Sequence, residues 1–291
     1  MTARQTKGSD KSVPRKSSFF RSGKWDTISS VLYPLFLAVI LAVLWQTGAL
    51  HKILNTDEFT LPMPNRIGGI ISDIWPKIWL NLKSSSIAAI SGLLLGSLLG
   101  YMLAIAAAVF PNGGAGGLKL VSALNAVPII AIAPVVNNLV KNISNDIELR
   151  GMIAKTLVVI LVCTATMSVS AYRGLTDLKP FALDLMDTYA AGGFNSFIKL
   201  RLPNSVPSIF TALTVSTPLS VITTLVSEYF IDVKVSTGSS YSPVGVGRMI
   251  RENIVTAQYS TAWAYIVIAC VMGIGMYITL MAVKVVIVRK H

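Results

Sequence analysis

The 291-residue chain is 53% hydrophobic and only 13% charged, with a mean hydropathy of +0.65, which excludes an ordinary soluble domain. Its 25 Lys and Arg against 13 Asp and Glu leave a net charge of +12. That charge sits at the chain ends and between apolar runs, not on a folded soluble face interleaved with aromatics, so nucleic-acid binding is excluded too and an integral membrane protein remains.

A bilayer core takes about 20 mostly apolar residues per helical span, and about six stretches meet that need: near 31–50, 84–110, 118–140, 152–172, 205–230 and 258–287. The runs are continuous rather than alternating, which excludes a β-barrel, and lipid then leaves only helices. The expected fold class is all-α and polytopic.

In chain order, residues 1–26 carry Arg4, Lys7, Lys11, Arg15, Lys16, Arg21 and Lys24 against Asp10 and Asp26, and read as a disordered basic tail on the cytoplasmic side. The first apolar run is too long for a signal-peptide core and no small-residue cleavage site follows it, so it reads as a retained span opening a membrane domain over 27–291. Within the second run Gly92, Gly96 and Gly100 recur every four residues on one helix face, a pattern for close helix packing, with a pore lining as the alternative. The stretch from Pro111 to Gly117 reads as a flexible cytoplasmic turn. It lacks the Gly-Lys-Ser/Thr ending of a phosphate-binding loop, as does the whole chain, so no nucleotide site is expected. The third run is the weakest, being interrupted by Pro128, Pro134 and the pair Asn137-Asn138. Lys155 in the fourth lies close enough to an end to snorkel. Cys163 and Cys270, inside spans, read as buried thiols, and the two His residues form no metal-ligand cluster. Arg173, Lys179, Lys199 and Arg201 between the fourth and fifth runs, and Lys284, Arg289 and Lys290 at the end, place these segments and both termini in the cytoplasm.

Polar residues inside spans are costly unless they face protein or water. Asn125, Asn137 and Asn138 in the third run, Thr164, Thr166 and Ser168 in the fourth, and Ser216, Thr217, Ser220, Thr223 and Thr224 in the fifth are therefore candidates to line a translocation pathway. For the hydroxyls the alternative is a bond to the preceding helical turn. Glu228 is the one carboxylate near a span interior and reads as structural or gating near the outer mouth, with solute binding as the alternative. No arrangement of residues at one depth points to catalysis.

The segment 177–203 is helix-compatible and polar. Pro180 suits a first helical turn, Asp184 and Asp187 favour the positive helix end, and Gly192-Gly193 permits a stop and sharp turn. Tyr189, Ala190 and Ala191 would form the tip, and a second short segment from Asn195 to Leu200 would put Phe194, Phe197 and Ile198 on an apolar stripe before Pro203 and Pro207. Such a hairpin is a docking element for a soluble partner, or an interfacial hairpin that binds nothing.

The register of Asp184, Ala190 and Leu200-Arg201-Leu202-Pro203 resembles the EAA loop of ABC-importer permeases, with Asp for the usual Glu and Ala190 for the usual first Gly. Leu61-Pro62-Met63-Pro64, Pro128 with Pro134, Ser227-Glu228-Tyr229-Phe230 and Gly245-Val246-Gly247 are similar to nitrate/sulfonate/taurine-type permeases, over roughly residues 60–285. Leu185-Met186, Thr188-Tyr189-Ala190-Ala191 and Lys199-Leu200-Arg201-Leu202-Pro203 look most like the branch for riboflavin and pyrimidine-type vitamin precursors. Asn137-Asn138 stands where a Trp-Phe-Gly type ending is common.

The resemblance implies a type I importer permease fold, its core near 80–285, with a cytoplasmic coupling helix in 177–203 docking through Asp184, Asp187, Tyr189, Ala190, Ala191, Gly192 and Pro203. The implied partners are ABC ATPase subunits, which carry the ATP and magnesium, a second copy or a homologous permease, and an extracytoplasmic solute-binding protein. The implied location is the bacterial inner membrane. A secondary carrier would need ion-coupling carboxylates, of which Glu228 alone is available, and a channel would need a filter or charged ring. These stand as the alternatives.

Overall fold

A backbone in lipid must satisfy its own polar groups, and the computed structural model, which describes residues 23–123, 126–140, 142–143, 146–230 and 243–288, does so with helices. The chain divides after Thr56 into two units. The first holds α1 (Gly23–Gln46) and the short α2 (Ala49–Leu54). Most of the tail expected over 1–26 lies outside the described residues, and α1 begins within it at Gly23.

The second unit begins with α3 (Pro64–Asp73), whose Pro64 sits at the first helical position, where a missing N–H costs nothing. It is followed by α4 (Trp75–Val109), α5 (Pro111–Ala123), α6 (Ile129–Val140), α7 (Ile147–Thr176), α8 (Ala182–Thr188), α9 (Gly193–Ser196), a π-helical turn (Phe197–Arg201), α10 (Leu202–Phe230), α11 (Val246–Val255) and α12 (Tyr259–Val288). Among the described residues four stretches are helical, long and apolar enough to cross a membrane: Trp75–Val109, Glu148–Thr176, Gly193–Phe230 and Tyr259–Ile287. This is a multi-pass membrane protein.

Of the about six spans expected, these four stand at full length among the described residues. The first run contributes the shorter apolar stretch Leu32–Gln46. The third is split into α5 and α6 ahead of Ile129, because Pro128 lacks an N–H and biases its predecessor away from helix. The turn expected over 111–117 is helical instead. Gly114 lies against the backbone of Ala107, which a Cβ would strike, so this glycine serves a close approach rather than a bend.

The packing centre is α7, laid between α4 and α10. The glycine stripe of α4 faces it. A Cβ at Gly92 would stand 2.5 Å from Val159 Cβ, one at Gly96 2.7 Å from the Ile160 carbonyl, and one at Gly100 2.6 Å from the Thr164 carbonyl. Thr164 Oγ1 uses this proximity to donate to the Gly96 carbonyl at 3.1 Å. The stripe therefore packs against a helix and lines no pore. Toward one end, Ala104, Met167, Ala171, Leu175 and Ala212 form a buried cluster of small and long side chains. Toward the other, Ile78, Val246, Tyr265, Ile268 and Ala269 join α4, α11 and α12. Cys163 is buried as expected, whereas Cys270 is exposed on α12.

Gly96→Leu should lower the melting temperature of the chain in detergent, because overpacking a backbone contact costs about 1–3 kcal/mol. Gly275→Ala on α12 meets nothing within 4 Å and should leave melting unchanged or slightly higher.

Candidate functional site

Two regions at opposite ends of the α7 and α10 pair carry the polar chemistry. The first is the hairpin between them. Asn204 Nδ2 donates to the carbonyls of Gly174 at 2.8 Å and Asp177 at 3.0 Å, which ties the start of α10 to the end of α7 and closes the hairpin at its base. Within it, α8 begins after Phe181, whose left-handed φ of 65° keeps Pro180 out of the first helical turn where the sequence had suggested it. Asp184 stands in that first turn, near the positive helix end. Thr188 Oγ1 donates to the Asp184 carbonyl at 2.8 Å.

The stop of α8 falls at Ala190, not at Gly192-Gly193. Ala190 has φ 50°; its N–H donates to the Asp187 carbonyl at 2.9 Å and the Ala191 N–H donates to the Met186 carbonyl at 3.0 Å. This pair of bonds is a Schellman ending, whose left-handed residue is usually glycine. Gly192 has an ordinary φ of −59°. The position where the resemblance expects glycine is thus the one that needs its conformational freedom. No side chain of α8 is buried. Leu185, Tyr189 and Phe194 are exposed, Tyr189 at 77%, on a hairpin that has no apolar interior of its own. Asp187 and Gly192 are exposed and Ala191 is half-buried.

The separate second segment expected from Asn195 to Leu200 is instead the beginning of one continuous helix over Gly193–Phe230. The π-helical turn permits this. Its wider winding, with the Leu202 N–H bonded to the Phe197 carbonyl, accommodates Pro203, whose ring would clash with the preceding turn of a regular helix. Lys199 and Arg201 lie in that turn.

The second region is buried. Lys155 Nζ meets Glu228 Oε1 at 2.9 Å, with the two side chains 3% and 0% exposed. Lys155 therefore does not snorkel; it also donates to Ser84 Oγ at 2.8 Å. Ser85 Oγ contacts both carboxylate oxygens of Glu228, at 2.8 and 2.9 Å, and Oε2 accepts the Gly247 N–H at 2.9 Å. The Val246 N–H donates to Ser85 Oγ at 2.9 Å and the Gly245 N–H to Asn81 Oδ1 at 3.0 Å. Asn81 is itself held by donation to the Lys77 carbonyl at 2.8 Å. Three successive N–H groups at the start of α11 are thus fixed to side chains of α4 and α10. Both glycines are required there. Gly245 has φ 103° and a Cβ on it would run into the Glu228 carboxylate, while one on Gly247 would strike the Leu225 carbonyl.

The proposed pathway residues do not gather around this junction as a group. Asn125 lies outside the described residues, and Asn137 and Asn138 lie half-buried and exposed on α6. Thr166, Thr217 and Thr224 donate to the Val162, Leu213 and Ser220 carbonyls of their own helices. The buried hydroxyls of Ser216 and Thr223 have no such partner. Glu228, Thr224 and Thr217 share one face of α10, but Lys155, Ser84, Ser85 and Asn81 were missed. The available signal was an ammonium near the start of one apolar run and a single carboxylate near the end of another, a pairing that intramembrane charge favours. Among the described residues no group of three or more His, Cys, Asp or Glu could hold a metal ion.

Removing one partner of a buried pair strands the other, so Glu228→Ala should destabilise the chain by about 3–5 kcal/mol in detergent denaturation. Ala190→Gly should stabilise the hairpin by about 1 kcal/mol, read as slower amide exchange over α8, because it relieves a left-handed alanine.

The chain is similar in sequence to known proteins. A family model described as binding-protein-dependent transport system inner membrane component matches residues 92–290. A probable ABC transporter permease protein of Haemophilus influenzae is 24% identical over 199 residues, covering 68% of this chain and 77% of that protein. The formylaminopyrimidine transport permease protein ThiX of Halalkalibacterium halodurans is 27% identical over 207 residues, covering 68% of this chain and 75% of its own. With the family model covering most of its length, the chain belongs to the binding-protein-dependent transport system inner membrane component family and is an ABC-type membrane permease.

Proposed function

We propose that this chain is the membrane-spanning subunit of an ATP-driven importer in the bacterial inner membrane, with both termini cytoplasmic, passing on a small solute delivered by an extracytoplasmic binding protein. The observation that carries this reading is the hairpin of α8. It is anchored at its base by Asn204 and left with exposed aromatic and aliphatic side chains, the composition of an interface rather than of a solvated loop. Asp184, Asp187, Tyr189, Ala190, Ala191, Gly192 and Pro203 form or bound the surface that an ABC ATPase would grip. ATP and magnesium belong to that partner, since this chain has no phosphate-binding loop.

Alternating access then follows from two states of the spans with different affinity for the nucleotide-bound ATPase pair. Only 17% of the apolar window of α12 is covered by the chain itself, which leaves a broad face for lipid and for a second permease copy or a homologue. A secondary carrier is disfavoured because the one intramembrane carboxylate considered for ion coupling, Glu228, is bound to Lys155. The likeness to a formylaminopyrimidine permease, together with the Thr188-Tyr189-Ala190-Ala191 hairpin sequence, favours a small heterocyclic vitamin precursor of the pyrimidine or riboflavin type as solute.

Purification of the tagged chain from its own cells in mild detergent should bring down a stoichiometric ABC ATPase. Ala191→Glu and Tyr189→Ala should each reduce that recovery about tenfold, since truncating an interfacial aromatic anchor costs roughly 1–2 kcal/mol or more. Tyr189 is exposed, so its loss tests docking without disturbing the fold. Undiminished recovery with both variants would refute the docking role of the hairpin.

A further inference from the structure

The helices that flank the hairpin are the same two that carry the buried ion pair. From Lys155 to Thr176 along α7 is about 30 Å at the helical rise of roughly 1.5 Å per residue, so the two features lie at opposite ends of one packed helix pair. At the hairpin end α7 and α10 are tied by Asn204. At the far end they are tied by Lys155 and Glu228. The Glu228 carboxylate also holds the Gly247 N–H, and its partner Ser85 holds the Val246 N–H. We propose that Lys155 and Glu228 are positioning residues for transport: they make the placement of the α11 N-terminus depend on how α7 packs against α10, and so link α11 to movements of the hairpin.

The physical argument is one of geometry and of charge. Oε1 of Glu228 is engaged by α7 and by α4 through Ser85, while Oε2 is engaged by α11 and again by Ser85. A shift of α7 along α10 separates Lys155 from Oε1, and a carboxylate 0% exposed has no water to turn to. It must follow Lys155 or lose it, and in either case the acceptor of the Gly247 N–H moves. The close approach at Gly245 and Gly247 leaves no slack, since the α11 backbone lies directly against Glu228 and the Leu225 carbonyl. A well-packed apolar contact could equal the pair in stability, but it would lack this directional bond to α11.

This inference rests on the importer reading, and the test separates the two. Amide exchange over 243–250 is measured on the purified chain alone and on its complex with the ATPase, with and without ATP, for three forms. In the native complex ATP should change the exchange of Gly245, Val246 and Gly247. Lys155→Met with Glu228→Met keeps the volume and removes both charges; it should fold and bind the ATPase, yet exchange at these amides about tenfold faster or more, show no ATP response and lose transport. Lys155→Met with Glu228→Gln restores a neutral acceptor for the Gly247 N–H, and protection should return to within about threefold of native. Should the double-Met chain fail to fold, the Lys155→Met, Glu228→Gln form carries the test: it keeps the acceptor of the Gly247 N–H but lacks the tie to α7, so its α11 amides should stay protected and yet lose their response to ATP. Native protection in the double-Met form, native transport despite lost protection, or a native complex whose α11 amides ignore ATP would each overturn the proposal. Absence of any copurifying ATPase would instead sink the importer reading and the transport role with it, while exchange on the chain alone would still report whether the pair positions α11.

Discussion

Burying an ammonium and a carboxylate among apolar helices costs several kcal/mol per ion unless each finds the other and their remaining hydrogen-bonding capacity is filled. The junction of Lys155 and Glu228 meets that demand by drawing on four helices: Ser84, Ser85 and Asn81 from α4, Lys155 from α7, Glu228 from α10, and the first amides of α11. The requirement works outward from there. Because the carboxylate needs an N–H donor, α11 must begin where the Gly247 N–H reaches Glu228 Oε2, and an anion at a helix N-terminus is favoured by the dipole as well. Because α11 must come so close, residues 245 and 247 can carry no side chain.

The same logic of close approach organises the rest of the α4 and α7 contact. Gly92, Gly96 and Gly100 let backbone meet backbone, and that proximity is what allows Thr164 to bond the Gly96 carbonyl across the interface. In a bilayer no hydrophobic force drives helices together, so packing of small residues and interhelical hydrogen bonds must do it. α7 is accordingly well enclosed, with Val158, Val159, Cys163, Ala165, Ala171 and Leu175 all fully covered. α12, which lacks such a stripe against α7, remains largely open to lipid or to other subunits.

The hairpin stands apart in character. Its helix is too short to be stable alone, and it persists because both ends are defined: the left-handed Phe181 before it, the Schellman bonds at Ala190 after it, and the Asn204 clamp beneath. Its apolar side chains face outward, which is unfavourable for a free loop and appropriate to one that docks. The π-helical turn joins its second limb, from Gly193 onward, to α10 without a break.

Much of this was legible in the chain. Membrane class, helical fold, the packing role of the glycine stripe and the location of the hairpin are properties of composition, run length and periodicity, which depend only on neighbours along the sequence. The split of the third run at Pro128 is also a local backbone effect, though a count of apolar residues overlooks it. The true stop of α8 was not legible from Gly192-Gly193, because which residue becomes left-handed depends on where the helix ends, and α8 ends early enough to put Ala190 there. Lys155 was the clearest misreading. A lysine near the end of a span can reach the interface or a partner, and the choice rests on what the opposite helix presents. That partner, Glu228, lies 73 residues away, and only the packing of α7 against α10 and α4 brings it within 2.9 Å. Sequence alone therefore determined what kind of protein this is and which segments are helical, since those follow from local chemistry. The tertiary structure decided which polar groups meet, because burial and pairing of charge are set by helices that are distant in sequence and adjacent in space.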